Sequence, residues 1–276
     1  MPEHPHHHDD DHGGDKLRLG GMALGNGLLV HGPTHWAAAV RRSDGTIARA
    51  SGRKPQLRSR VGDVPGLRGL ARLGEAMAVI PLVKRALPES RLPFEDGRVA
   101  AAAVAVSAGG AVLRRGAGSG VVTEAALAAL SVLPSVIALR GGEVAAYHGV
   151  EHKAIGAYEQ GREDAREATK EHDRCGSHLL APLLAANVAG AALLRRAAAP
   201  GTPSKTAQLA VQLGAAGAAV EVFAWSERHR GTRVSRALQR PGHELQRALG
   251  TREPSEAQLD VGRAALDEIL RAERAA

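Results

Sequence analysis

Apolar residues recur at helical spacing through most of this chain, and Ala, Leu and Val supply nearly all of them. The pattern predicts a helix from Leu67 to Leu87, with Pro81 as a point where it kinks or splits. Ala-rich helices are predicted over Val99–Leu113 and Thr123–Leu139, the second broken near Pro134. Further helices are expected over Tyr147–Gln160, Leu179–Leu194 and Thr206–Trp225. The last, Ser255–Ala272, is amphipathic: Val261, Ala265, Leu266 and Ile269 share a face, and Ser255 is a suitable N-cap. Before Leu67 the pattern changes. Gly20–Pro33 mixes glycines with short apolar pieces and reads as loop and strand. Trp36–Val40 and Ile47–Ala50 flank Ser43-Asp44-Gly45, which predicts a β-hairpin turning at Asp-Gly. The basic, proline-containing run from Arg53 to Arg60 connects the two parts. The expected fold is mainly α with a small N-terminal β element, an Ala-rich helical bundle forming one domain over residues 19–276. Residues 1–18 form a polar tail expected to be disordered.

Composition sharpens this picture. The chain of 276 residues carries two each of Trp, Tyr and Phe. Its core must therefore be close-packed from small side chains, and strand formers are too few for a large sheet. The formal net charge of +7 allows anionic partners, but the Arg residues are scattered and stacking aromatics are scarce. The expected partner is membrane lipid, with no nucleic acid. The single cysteine, Cys175, rules out an internal disulfide. The tail, MPEHPHHHDDDHGGD, lacks the apolar stretch of a signal peptide and has the His and Asp content to collect divalent ions loosely.

Several helices approach the length of a membrane span, about 20 apolar residues. Ser177–Leu194 includes His178, Pro182 and Asn187; Ser119–Leu139 includes Glu124; Thr206–Val220 stops at Glu221. Lys84-Arg85, Arg114-Arg115, Arg140 and Arg195-Arg196 punctuate these segments as basic flanks do. The pattern fits a membrane-embedded protein, and equally a soluble cytoplasmic bundle with an Ala-rich core.

Chemistry concentrates in Tyr147-His148-Gly149-Val150-Glu151-His152-Lys153. The order H-x-x-E-H inverts the zincin H-E-x-x-H. Residues four apart share a helix face, so His148 and His152 can address one ion, with zinc the best suited. Glu151 is the candidate general base. About twenty residues on, Glu171-His172-Asp173-Arg174-Cys175-Gly176 offers His172 and Cys175 as further ligands. Glu159 shares the face of His152, but two helical turns put it too far for the same ion; it reads as a solvated residue or as support for a ligand. Glu221, a carboxylate in an apolar helix, is a candidate remote ligand, an Arg partner, or a helix-end residue facing water.

These residues resemble the YqhQ-like proteins, an uncharacterised family described as metal-dependent enzymes and multi-pass membrane proteins. The resemblance spans about Gly20 to Leu270 and is carried by His148–Lys153 with Ala157-Tyr158-Glu159, by His172–Gly176, by Pro65–Gly69 with Glu75, and by Thr251–Pro254. It implies metal dependence and several membrane spans. Two positions depart from the family pattern: Asn26 stands where a Glu is usual, and His31 where an Arg is usual. The functional expectation is a metal-dependent membrane-associated protein, a zinc hydrolase of unknown substrate with Glu151 as base and His148, His152, His172 and Cys175 as the ligand set. The competing expectation is a non-catalytic membrane protein whose metal is structural or transported.

Overall fold

The computed structural model describes residues 16–56, 64, 66–116, 121–140, 142–197 and 204–276. Residues 1–15 of the tail lie outside them, as do residues 57–60, the second half of the basic connection.

The β element is a four-stranded antiparallel meander: β1 (Gly20–Leu24), β2 (Gly27–His31), β3 (His35–Arg41) and β4 (Ile47–Arg53), in that order. The hairpin expected at Asp44-Gly45 joins β3 to β4, with Arg41 opposite Ile47. The stretch read as loop and strand is a second hairpin, in which Leu24 pairs with Gly27 across Gly25-Asn26. A side chain at Gly27 would run into the Ala39 carbonyl, so glycine there lets β3 close on the turn. Asn26 fastens the same turn. Its amide nitrogen donates to the carbonyls of Arg41 (3.0 Å) and Glu89 (3.1 Å), and its oxygen accepts from the Arg91 amide at 2.9 Å. Asn26 thus has a structural role in this chain.

Helices follow: α1 (Leu67–Ala86), α2 (Gly97–Gly116), α3 (Val121–Leu130), α4 (Leu133–Arg140), α5 (Glu143–Gln160), α6 (Leu180–Ala197), α7 (Lys205–Arg228), α8 (Arg233–Leu245) and α9 (Glu256–Arg274). α1 runs through Pro81 unbroken. The expected break in the next apolar segment falls at Ser131–Val132, which places Pro134 in the first turn of α4, where no backbone donor is needed. α9 starts as expected at Ser255, whose hydroxyl accepts from Gln258 N–H while its own N–H donates to the Gln258 side chain.

The sheet is covered on both faces. Leu28, Val30, Ala37 and Ala39 pack with Val150 and Ile155 of α5 and Val261, Ala265 and Ile269 of α9. Leu29, Trp36, Ala38 and Val40 pack on the other side with Val79 and Val83 of α1. Double burial explains why β2 and β3 read as apolar runs rather than alternating strands. Small residues let the helices approach: a Cβ on Gly262 of α9 would overlap Val150 of α5, and one on Gly69 of α1 would overlap Val220 of α7. The half-buried Glu221 of α7 turns its carboxylate to the Gly66 amide, accepting it at 2.9 Å, at the N-terminus of α1.

Among the described residues, three segments are long and apolar enough to cross a membrane: Val122–Arg140, Gly176–Ala197 and Lys205–Arg228. Few of their side chains are buried within the protein.

Candidate metal centre

The candidate centre lies where α5 meets two irregular segments, 161–179 and 246–255. α5 ends in a Schellman arrangement at Gly161, with Arg162 N–H bonded to Ala157 O and Gly161 N–H to Tyr158 O. That cap turns the chain back along the helix, so residues 168–175 run beside His152. On another side, Gly149 has no Cβ because the Arg252 carbonyl occupies its place. The Arg252 amide bonds Ala145 O at 2.9 Å, locking this second segment against α5.

The two segments orient the histidines through backbone carbonyls. His148 Nδ1 lies 2.8 Å from Gly250 O, and His152 Nδ1 lies 2.6 Å from Lys170 O. A carbonyl only accepts, so each Nδ1 carries a proton; Nε2 of His152 presents a lone pair, and Nε2 of His148 does so once that ring has lost its second proton. His148 Nε2 is 3.3 Å from Cys175 Sγ. His152 is 2 % exposed, and its Nε2 has no hydrogen-bond partner among the described residues. The ligand atoms of His148, His152 and Cys175 all lie within 4.8 Å of one another. From zinc bond lengths, two donors of a tetrahedral site stand about 3.3–3.6 Å apart, so closing this trio on one ion requires shifts of about 1 Å.

Electrostatics separate the two histidines. For His148, burial pulls the pKa down, but the Cys175 hydrogen bond and the Glu151 charge outweigh it and hold the ring at about 9. Burial, then the neighbouring His148 charge, drives His152 to about 2. Cys175 is buried at the start of the Gly176–Leu179 turn, and its sulfur accepts the Ser177 amide at 3.5 Å.

His172 stands beside this trio, its ring centroid 5.7 Å from that of His152, but both its nitrogens are engaged. Nδ1 accepts the Arg174 amide at 3.2 Å and Nε2 faces Glu159 Oε2 at 3.2 Å. Glu159 also pairs with the Arg174 guanidinium, so it supports the His172 segment rather than facing water alone. The Glu151 carboxyl lies against β1, where a Cβ on Gly21 would collide with it. Burial raises its pKa, against the charges of His148 and His172 and the Gly21 amide.

Two further residues complete the frame. Gln246, fully buried in the π-turn Gln246–Gly250, accepts the His172 amide at 2.8 Å and donates to His172 O (3.2 Å) and Ser177 Oγ (2.8 Å). Lys153, 5 % exposed, donates to Ala168 O (3.0 Å) and Arg166 O (3.2 Å) and pairs with Glu253 Oε1 at 2.8 Å. Lys153 closes the motif in sequence, but its burial and its three partners are set by the fold, and Gln246 carries no sequence signal.

A family profile described as a protein of unknown function, DUF1385, matches residues 135–272, half of the chain. No curated protein and no solved structure is similar enough to match. The matched stretch runs from α4 into α9 and so contains His148, His152, Cys175 and both segments that orient the rings. The chain belongs to the DUF1385 family of proteins of unknown function.

Proposed function

We propose that this protein is a membrane metalloprotein of YqhQ-like type, with one divalent transition ion held by His148, His152 and Cys175, and that it hydrolyses its substrate. The single observation behind this reading is the buried, unpartnered Nε2 of His152 in a residue whose ligand atom lies within 4.8 Å of those of His148 and Cys175. A buried ring nitrogen without a partner costs free energy unless something occupies its lone pair. The Nδ1-to-carbonyl bonds behind both rings are the outer contacts that ligating histidines make. Two imidazoles and a thiolate suit zinc best among common divalent ions.

Three protein ligands, rather than four, favour catalysis over a purely structural role, because a catalytic site keeps one position open. His172, the obvious fourth donor, is held away by Glu159 and by the Arg174 amide. An ion here supplies Lewis acidity towards a carbonyl or phosphoryl oxygen. Glu151, its carboxyl pushed up by burial, is the group that takes and returns a proton. The Gly250 and Lys170 carbonyls keep both rings in the ligating tautomer, and Lys153 holds the segments that bear those carbonyls. The apolar segment Gly176–Ala197 begins directly after Cys175, which supports a site at the end of a span, near a membrane surface.

X-ray absorption on the zinc-loaded protein tests the reading. One sulfur, two imidazole nitrogens and one light non-protein donor are expected. A spectrum requiring three imidazoles and a sulfur would instead make the site closed and structural.

A further inference from the structure

A cavity of about 810 Å³ lies between α3–α4, α6 and α7. Along the Gly176–Ala197 segment its lining runs from Ser177 through Leu183 and Asn187 to Arg195, and His148, Leu127 and Val211 line it from neighbouring helices. The volume falls in the range of ligand sites, about 300–1,000 Å³. All three walls are segments apolar enough to cross a membrane. Along α6 the lining from Ser177 to Arg195 extends about 27 Å, at 1.5 Å per residue. The hydrocarbon core of a bilayer is about 30 Å thick, so the cavity runs almost its full depth. Its reactive end lies at the start of the apolar Gly176–Ala197 segment, where a lipid keeps its polar group, and its walls are mainly apolar where a lipid keeps its chain, with Glu124, Asn187, Gln208 and Gln212 among them.

We infer that this cavity binds the hydrocarbon chain of an acyl lipid, with the lipid's polar end at His148 and Cys175. This names the substrate class for the proposed metal site and rests on that reading for which end reacts; the chain-binding cavity itself does not depend on it. An extended peptide in the same place would meet polar side chains such as Asn187, Gln208 and Gln212 for only a few of its backbone N–H and C=O groups and would leave the rest facing leucine, valine and alanine, at a cost for each unpaired group. An acyl chain has no such groups. Arg195, whose Nη1 is buried and has no hydrogen-bond partner among the described residues, stands at the far end, where a long cationic side chain reaches the opposite surface.

The test uses the full chain in detergent micelles with palmitic acid carrying a mid-chain diazirine, irradiated and mapped by mass spectrometry. Adducts are expected on and beside the lining residues Leu127, Leu183 and Val211. Leu183→Trp fills the slot and should lower the yield about tenfold, the effect of displacing roughly two methylenes from apolar contact. Leu193→Trp places the same side chain on the outward face of the same helix, where Leu193 is 64 % exposed, and should leave the yield unchanged. Adducts spread equally onto the outward residues Leu193 and Leu209, or equal yields from the two tryptophan variants, would overturn the inference. Metal content measured in the same samples keeps the two readings apart: ordered labelling without metal sinks the metal site alone, and metal without ordered labelling sinks the cavity assignment alone.

Discussion

Replacing Lys153 by methionine removes the cation that ties both ring-orienting segments to α5 while keeping the volume of the side chain. The lysine makes two hydrogen bonds to carbonyls, at 3.0 Å to Ala168 and 3.2 Å to Arg166, and one ion pair to Glu253 at 2.8 Å. The Glu253 side chain is 68 % exposed, so the pair contributes at most about 1 kcal/mol. Hydrogen bonds from a charged donor contribute about 1.5–3 kcal/mol each. Arg166 is exposed and its carbonyl can turn to water, whereas Ala168 is buried and its carbonyl loses its partner. Relief from burying the ammonium offsets part of the loss, leaving a net destabilisation of about 3 kcal/mol. For a domain of this size that corresponds to a fall in Tm of roughly 6–12 °C. The same change frees the segments carrying Lys170 O and Gly250 O, and loss of such outer contacts typically weakens metal binding about 10–100-fold. Thermal unfolding in detergent and a competitive chelator titration read the two effects. Lys153→Met should still take up one equivalent at saturation, but more weakly. Unchanged Tm together with unchanged metal affinity would refute the view that Lys153 frames the centre.

Other substitutions probe separate parts of the account. Gly149→Ala drives a methyl into the Arg252 carbonyl and should cost about 1–3 kcal/mol, seen as a lower Tm; an unchanged Tm would mean the 250–254 segment is not fixed there. Glu151→Gln should keep the metal and abolish hydrolysis of any substrate found, whereas parallel loss of metal would make Glu151 a ligand rather than a base. Burial raises the Glu273 pKa, but hydrogen bonds from Thr34 and His35 outweigh it and leave it lowered. Its contribution to stability is therefore complete above the ordinary value of 4.5 and is lost as pH falls through the depressed folded value. Glu273→Gln should flatten the acid side of a Tm-against-pH curve, and identical curves would sink that assignment.

Much of the architecture is written in local patterns. Ser255 announces α9, Asp44-Gly45 announces the β3–β4 turn, and apolar spacing places α1, α5, α6 and α7 within a few residues. The β1–β2 hairpin is harder to read because both its faces are buried, which erases alternation, and because three of the residues around its turn are glycine or asparagine. α8 escapes for the opposite reason: it buries Ser235, Gln239 and Gly242, so it has no apolar stripe to count. At the centre, His148 and His152 are legible from helical spacing alone. The approach of Cys175 depends on how Gly161 reverses the chain, and the separation of His172 depends on competing partners in Glu159 and Arg174. The carbonyls of Gly250 and Lys170 carry no side-chain identity at all, so only the folded backbone reveals that they set the histidine tautomers.

The ligand trio is tested most directly by elemental analysis of the protein lacking residues 1–15, since that His- and Asp-rich tail is able to hold metal by itself. About one zinc per chain is expected in the truncated protein and in its His172→Ala variant, as for a single site. In His148→Ala, His152→Ala and Cys175→Ala it should fall towards zero with the helical signal retained. Equal metal in all five proteins, or none in any, would contradict a centre built on His148, His152 and Cys175.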